Sequence, residues 1–451
     1  MQRKRVDLTT GPITKKLILF AIPIILSNLL QHLYSAADRM VVGRFAEEGT
    51  NALAAVGATG SAITLLLGLF TGLSIGANIV CANMRGARNT TGLRKTMHSA
   101  PILALICGVF LMIVGILVCR PMLKLMSAPE GVLDQAVLYM RIYFLGVPAS
   151  ILYNFGSAIV RSNGDTKRPM LILALSGLVN VALNLILVIG FHLDVAGVAI
   201  ATVVSQYLSA FQIWRILFNP KDDYKLSFKE LKLHKQQVWT IIKVGLPCGI
   251  NGIAFSLSNI VMQSAVNTFG EVIIAGNVAS DGLTGLIYQV IAGFYSAIVS
   301  FAGQNYGAGK YKRIDKGLGI CLLWCCGIVL ILGVGAVIFH QPLMSLFNSD
   351  PVVIDAGTTK LKVFSYSYVI YGVSEMLLGC LRGMKKTAIP SAINFGGVCL
   401  FRVVWAWWIF PINPTVGMLY ACYPVSYILS ALGMLVYFLI SRHKLKKLTA
   451  V

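Results

Sequence analysis

The sequence predicts an all-α membrane protein with twelve transmembrane helices arranged as two pseudo-symmetric six-helix lobes. Composition, uncharged runs and an internal repeat predict this fold class. Hydrophobic residues make up 57% of the 451 positions and charged residues only 12%, against about a quarter charged in ordinary globular proteins. The runs Ile102–Cys119, Leu171–Phe191 and Gly317–Phe339 carry no charge. Each of them is long enough to cross a hydrocarbon core of about 30 Å.

Apolar runs bounded by charged residues, glycine or proline give the twelve predicted helices in order. They cover residues 16–43, 52–84, 95–119, 134–160, 168–191, 194–217, 238–267, 272–305, 315–339, 357–382, 388–411 and 414–440. The first run is too long for the apolar region of a signal peptide and is kept as a span. The second and eighth runs exceed a bare crossing, so we expect tilt, bending or extension into water there.

The distribution of Lys and Arg predicts the orientation of these spans. Most of the 38 basic residues lie on one side of the membrane. This side holds the first 16 residues, the tail and the segments 85–95, 161–168, 215–243, 310–316 and 382–386. The opposite loops hold only Arg44, Arg120 and Lys124. Because basic loops face the cytoplasm, both termini are predicted to be cytoplasmic, in a plasma (inner) membrane, which requires an even number of spans.

Charge and cysteine usage exclude other classes of protein. The net charge of +21 is spread over short loops between spans, whereas a nucleic-acid-binding protein gathers its basic residues on one exposed face. All ten cysteines lie in or beside apolar spans without zinc-ligand spacing. No HExxH motif and no cluster of histidines is present, so no enzyme, cofactor or nucleic-acid partner is expected.

Two halves of the chain repeat at a fixed offset. Gly86, which closes the second predicted helix, and Gly307, which closes the eighth, are 221 positions apart. The Arg, Thr and Pro of the loops Arg161–Pro169 and Arg382–Pro390 match at the same offset, as do Ser205 and Ser426. Because each half has six spans, the halves are predicted to be parallel repeats, a symmetry that transporters use for alternating access.

The repeat sets the predicted domain boundaries. The first lobe covers 1–217 and the second lobe covers 238–440. Residues 218–237 form a cytoplasmic linker and 441–451 a cytoplasmic tail. Pro23 and Pro247, inside the first helix of each lobe, remove a backbone hydrogen bond and permit a kink. Each is either a hinge or a static bend.

The landmarks of the repeat resemble the multidrug and toxic compound extrusion (MATE) family. The resemblance rests on Pro23, on Ala37-Asp38 with Val42-Gly43-Arg44, and on Ala52–Gly57, together with the Arg161–Pro169 loop and Gln304–Ala308. It covers nearly the whole chain. It implies a V-shaped pair of lobes that exports organic, often cationic, compounds by antiport with Na⁺ or H⁺.

A polar stripe on the first helix marks a candidate coupling site. Asn28, Gln31, Ser35 and Asp38 share one helical face. The fifth helix offers Ser176, Asn180 and Asn184 at helical spacing, and the sixth offers Thr202. Carboxylate, amide and hydroxyl oxygens suit a hard monovalent cation, and a buried carboxylate can carry a proton instead.

In the related family this lobe carries an Asp, an Asn, a second acid and a Thr. Asp38, Asn180, Asn184 and Thr202 match those places, although Asn184 stands where the family has the second acid. We expect Asp38, Asn180, Asn184 and Thr202 to bind Na⁺, or the Asp38 carboxylate to carry a proton in place of Na⁺. The alternative is a hydrogen-bond network that only holds the lobe together.

Other polar residues within the spans predict a substrate cavity. A charge inside a membrane costs at least ~2.5 kcal/mol, so Asp281 and Glu375 need a partner, water or a function. Glu375 follows Tyr368 and Tyr371 at helical spacing. This group can hold an organic cation, or Glu375 can pair with Arg402 as a structural clasp. Asp281 lines the second lobe's cavity or contacts a stripe on the seventh helix (Asn251, Asn259, Gln263 and Asn267). We also assign Asn28 and Gln31 to the cavity wall.

The function expected from these patterns is secondary active transport of a small organic substrate by a monomer surrounded by membrane lipids. A lipid-linked flippase is the first alternative. It would need a strongly cationic cavity, but only Arg402 lies well inside a predicted span, because Lys360 and Lys362 sit near an outer end. A channel or receptor is more distant, since a parallel six-plus-six repeat gives it no specific support.

Overall fold

The computed structural model describes residues 6–45, 49–126, 130–219, 226–347 and 350–449. These residues are helical almost throughout and contain no strand. Twelve long helices follow one another. We number them α1 Ile13–Phe45, α2 Gly49–Gly86, α3 Thr90–Leu125, α4 Glu130–Ser162, α5 Lys167–Gly190, α6 Asp194–Leu217, α7 Lys235–Asn267, α8 Glu271–Gly307, α9 Tyr311–Ile338, α10 Pro351–Gly383, α11 Ala388–Ile412 and α12 Val416–Thr449.

The predicted class of twelve-helix membrane protein is confirmed. Eleven of the described helices, all but α10, are long and apolar enough to cross a membrane. α10 carries Lys360, Lys362 and Glu375 within its 33 residues. Several helices run beyond their predicted limits, because charged residues at their ends continue the helix past the apolar run. α3 begins at Thr90 and α12 continues to Thr449, so the described part of the predicted tail is helical.

Backbone conformation repeats at the same offset as the sequence. Gly164 has φ of 90° and Lys385, 221 positions later, has φ of 61°. Arg88 (φ 52°) and Gly309 (φ 69°) form a second such pair. A left-handed residue after the last turn is a common way to end a helix. The turns that follow α2, α4, α8 and α10 are therefore built alike, even where glycine is replaced by Arg or Lys.

The chain forms two compact units. The first contains Leu26–Ile253 with the segment up to Asp7, and the second contains Leu8–Ile25 and Ala254–Val451. In the first unit α4 packs against α2, α3 and α6, and in the second α10 packs against α8, α9 and α12. The central helix thus holds the same position in each repeat. The lobe limits read from the repeat, 1–217 and 238–440, remain a prediction.

Two helices are divided between the units. The division falls after Ile25 in α1 and after Ile253 in α7. In the first unit the start of α7 crosses α2 at glycines, and a Cβ on Gly72 would lie 2.1 Å from the backbone N of Gly249. In the second unit the start of α1 crosses α8, and a Cβ on Gly293 would lie 2.9 Å from the Cα of Ile25. Gly72 and Gly293 are themselves 221 positions apart.

The described part of the predicted linker lies against α3. Arg94 donates to both carboxylate oxygens of Glu230, at 2.8 and 2.5 Å. The Ser99 hydroxyl donates to the carbonyl of Lys232 at 3.0 Å and accepts from the backbone N–H of His234 at 3.0 Å. A short 3₁₀ turn, Phe228–Glu230, supports this path. The linker is therefore tied to the first unit by specific hydrogen bonds.

Candidate functional site

The predicted coupling residues lie together in the first unit. Asn184 Nδ2 donates to Asp38 Oδ1 at 2.5 Å and lies 3.5 Å from Asn180 Oδ1. Asn180 Nδ2 in turn lies 3.5 Å from Thr202 Oγ1. The chain of contacts joins α1, α5 and α6, so helical spacing and the side chains' reach bring all four residues to one place.

The cluster is buried but not fully satisfied. Asn184 is wholly buried and Asn180 is 5% exposed, whereas Asp38 is half-buried. Within the described chain Asn184 Oδ1 has no hydrogen-bond partner. Rotating the Asn184 amide would turn this oxygen toward Asp38, since amide orientation is set only by the hydrogen-bond network. The cluster then presents carboxylate, amide and hydroxyl oxygens, the donor set of a hard cation.

The neighbours of Asp38 on α1 have varied surroundings. Arg39 is exposed, and its Nε donates to the Ser35 carbonyl at 3.2 Å. Asn28 is half-buried and Gln31 is exposed. The assignment of Asn28 and Gln31 to a substrate cavity stays a prediction.

The second unit encloses a cavity of about 290 Å³. Side chains of five helices, α7, α8, α10, α11 and α12, form its wall, and most of them are polar or aromatic. They include the predicted residues Asp281, Tyr368, Tyr371 and Arg402, and also Asn277, Gln263, Tyr288, Lys360, Phe364, Tyr423 and Tyr427. The cavity has charged groups at two places.

The first charged place is an ion pair between α10 and α8. Lys360 Nζ donates to Asp281 Oδ1 at 2.5 Å, and it also lies 5.2 Å from the centroid of the Phe364 ring. Asn277 Nδ2 lies 3.3 Å from Asp281 Oδ2 and 3.2 Å from Gln263 Oε1. The contact of Asp281 with the predicted α7 stripe therefore runs through Asn277.

The burial of Lys360 in a cavity wall is not predicted from the sequence. Lys360 is only 5% exposed and lies in the wall of the cavity, not at an outer interface. α10 begins at Pro351, six residues before the predicted start, so Lys360 is already in its third turn. Lys360, Phe364, Tyr368 and Tyr371 follow one another at steps of four, four and three, a helical pattern that the sequence contains.

The second charged place is the guanidinium of Arg402, which is 0% exposed. Its Cζ lies 4.2 Å from the centroid of the Tyr423 ring and 5.0 Å from that of Tyr427. Arg402 stands in a short α-helical stretch of α11 flanked by the π-helical segments Phe395–Leu400 and Trp405–Ile409. Such π-turns inside helices are frequent at functional sites.

Glu375 and Arg402 do not form the clasp considered as one of two alternatives. Arg402 Nε donates to the Ser426 hydroxyl at 3.2 Å, and in the described chain Nη1 and Nη2 have no hydrogen-bond partner. Glu375 interacts instead with the charge of Arg382 and with the hydroxyl of Tyr371. Tyr423 and Tyr427 are not among the cavity residues predicted from the sequence, although Tyr420, Tyr423 and Tyr427 share one face of α12.

The two predicted hinge prolines lie inside helices, as expected. Pro23 belongs to the part of α1 in the second unit, and Pro247 to the part of α7 in the first. Pro247 lies between Gly245 and Gly249, where α7 makes its close approach to α2. Tight packing on both sides of Pro247 favours a static bend over a hinge at this position.

Comparison with known protein families gives one match in each half of the chain. The MatE family model matches residues 23–186 and 247–408. The two matches begin at Pro23 and Pro247, the landmarks of the repeat, so the predicted internal duplication and the predicted family are confirmed.

Named relatives cover most of the chain. A probable multidrug resistance protein of Bacillus subtilis, YoeA, is 28% identical over 84% of this chain and 83% of its own length. A FAD transporter of Shewanella oneidensis is 24% identical over 87% of each protein.

A solved structure has the same fold. An outward-facing multidrug resistance MATE family transporter of the MOP superfamily aligns with a TM-score of 0.90 at 24% identity, over 99% of this chain and 100% of that one. The family matches, the relatives and the shared fold agree with the repeat seen in the sequence. The chain is therefore an integral membrane protein of the multidrug and toxic compound extrusion (MATE) transporter family.

Proposed function

We propose that this protein exports amphiphilic organic compounds by antiport with Na⁺ or H⁺, bound at the cluster of Asp38, Asn180, Asn184 and Thr202. The names of its relatives support drug efflux, and one of them is named for FAD, so an organic substrate is common to both. We place it in the plasma membrane as a monomer with both termini in the cytoplasm, because of the Lys and Arg distribution.

The observation that carries the coupling proposal is the connection of Asp38 to a wholly buried Asn184 with an unused oxygen. A cation or proton at Asp38 changes the charge of the cluster, and a ligand shifts a conformational equilibrium by its differential affinity for the two states. Ion binding would favour one facing state and substrate the other. Substrate export would thereby be coupled to ion entry.

The presence of Lys360 in the cavity wall adds little support for a lipid-linked flippase. The charge of Lys360 is neutralised by Asp281 at 2.5 Å. The cavity of the second unit thus offers one uncompensated cation, Arg402, where a pyrophosphate headgroup would need several.

The proposed coupling role of Asp38 predicts that Asp38→Asn abolishes gradient-driven transport. The neutral side chain cannot exchange charge with the ion, so uptake into inverted proteoliposomes should fall at least tenfold under whichever imposed gradient, sodium or pH, drives the wild-type protein. A fluorescent organic substrate gives the readout. The gradient that drives the wild-type protein also identifies the ion.

Asp134→Asn is the matched control, because the Asp134 side chain is 82% exposed and pairs only at the surface with Arg120. This variant should transport like the wild type. Unchanged gradient-driven uptake by Asp38→Asn would remove Asp38 from the coupling mechanism.

A further inference from the structure

The guanidinium of Arg402 is the least compensated charged group in the cavity of the second unit. It is fully buried, and it spends one donor, Nε, on the Ser426 hydroxyl. Within the described chain the remaining nitrogens, Nη1 and Nη2, make no hydrogen bond of normal geometry, although the hydroxyl of Tyr427 lies near the guanidinium. Buried charged groups in proteins are normally paired, because an uncompensated one costs several kcal/mol.

The acidic groups nearest the cavity are engaged elsewhere. Asp281 holds Lys360 at 2.5 Å and also contacts Asn277. Glu375 is near Arg382 and Tyr371. The charged side chains in the described wall are thus two cations and one carboxylate, and Arg402 is the cation without a counter-ion.

The aromatic neighbours of Arg402 satisfy only part of its requirement. Tyr423, Tyr427 and Phe255 lie 4.2, 5.0 and 5.8 Å from Cζ. A desolvated cation–π contact stabilises the charge through the face of an aromatic ring. Neither the ring faces nor the nearby Tyr427 hydroxyl gives Nη1 and Nη2, whose N–H groups lie in the guanidinium plane, a hydrogen bond of normal geometry. A carboxylate or a phosphate can place two acceptor oxygens in that plane, in the bidentate geometry that guanidinium prefers.

We propose that the cavity of the second unit binds an aromatic organic anion whose carboxylate or phosphate accepts hydrogen bonds from Nη1 and Nη2 of Arg402. The ring of the ligand packs among Phe364, Tyr368 and Tyr371, whose aromatic side chains form the apolar part of the wall. The volume of about 290 Å³ is at the lower end of ligand pockets, which start near 300 Å³.

The inference rests on the proposed export function and specifies its substrate class. It replaces the cationic substrate expected from the sequence with an anionic one. Asp281 does not attract a cation into this cavity, because Lys360 already neutralises it.

A set of naphthalene ligands that differ only in charge tests the proposal. Binding of 2-naphthoate, 2-naphthyl phosphate, neutral 2-naphthamide and cationic 2-naphthylmethylamine is measured by calorimetry on the purified full-length protein. We expect at least one of the two anions to bind tenfold or more tightly than the amide, and the amine to bind most weakly. The stronger of the two anions assigns the oxyanion as carboxylate or phosphate.

Variants then locate the preference. In Arg402→Gln the preferred anion should bind at least tenfold more weakly while the amide binds as before, and Arg402→Lys should recover part of the loss. Arg120→Gln removes the same charge from an exposed surface pair and should bind every ligand like the wild type. If Arg402→Gln does not fold, the ligand series on the wild type still decides the matter.

Several outcomes would overturn the inference. These are equal binding of anions and amide by the wild type, tighter binding of the amine, or displacement by chloride without any preference for aromatic acids. Asp38→Asn separates this result from the proposed function, since it should lose coupled transport and keep anion binding. Coupled transport without anion preference would refute the inference alone.

Discussion

At the scale of single residues, the ion pair of Lys360 and Asp281 is asymmetric. The Lys360 side chain is 6% exposed and the Asp281 side chain 53% exposed, with 2.5 Å between Nζ and Oδ1. Asp281 can keep part of its hydration when its partner is removed, because about half of its side chain is exposed. Lys360 is almost fully buried and cannot be hydrated in this way. Lys360 therefore depends on Asp281 more than Asp281 depends on Lys360.

We therefore expect Asp281→Asn to destabilise the protein more than Lys360→Met does. Breaking a fully buried pair costs about 3–5 kcal/mol, and the half-exposed Asp281 places Asp281→Asn near the lower end, at about 3 kcal/mol. Thermal unfolding in detergent gives the comparison. The double variant should recover most of the loss, and a double variant less stable than Asp281→Asn would contradict this account.

The two candidate sites differ in how far the sequence predicts them. Asp38, Asn180 and Asn184 could be found because oxygen-bearing side chains recur on one helical face, and the structure places them together. The burial of Lys360 is not predicted, because it depends on where α10 begins, and Asp350 caps this helix before its apolar run starts. Tyr423 and Tyr427 were missed because aromatic residues are common in apolar spans, and only packing of α12 against α10 gives them a site.

At the scale of helices, the crossing of α2 and α7 depends on glycine. Gly72 and Gly76 lie one turn apart on α2, opposite Gly249 and Gly245 on α7. A Cβ on Gly76 would lie 2.7 Å from the Cα of Gly245. Small residues spaced by four let helix backbones approach closely in membranes.

Gly72→Ala should therefore be strongly destabilising. Its Cβ would meet the backbone of Gly249 at 2.1 Å, and neither helix backbone can move away without losing neighbouring contacts. We expect a lower unfolding temperature and a reduced yield of monodisperse protein in detergent. Gly335→Ala on α9 is the control, since a Cβ added at Gly335 would meet no described atom within 4 Å.

The same crossing explains which part of the fold was accessible from sequence. Helix number, order and the repeat follow from apolar runs and matched turns, and all three agree with the structure. The partners of the first half of α7 do not follow from these patterns, because Gly-Leu-Pro-Cys-Gly reads as a kinked stretch of one lobe. Only the contact with Gly72 assigns that stretch to the first unit.

At the scale of the whole molecule, each unit includes the start of a helix from the other repeat. The first unit contains the start of α7 and the second contains Leu8–Ile25. The N-terminal anchor of this segment is also in the second unit, where Asn305 Nδ2 donates to the Leu8 carbonyl at 3.2 Å and Arg313 Nε donates to it at 3.1 Å.

Residues 1–225 expressed alone should consequently fail to give a stable protein, since the glycine face of α2 would lack α7. Co-expression with residues 226–451 should restore a complex of both fragments. Fluorescence-detected size exclusion of tagged fragments measures this. A stable, monodisperse 1–225 fragment would show that the first repeat is complete without the start of α7.

The shared helices also bear on how such a protein arises by gene duplication. An ancestral protein with a single repeat would complete its core if two identical subunits exchanged the starts of their first helices. Its smallest stable form would have been an interlocked homodimer. Fusion of the two genes would then have made this exchange of helix starts a permanent feature of a single polypeptide.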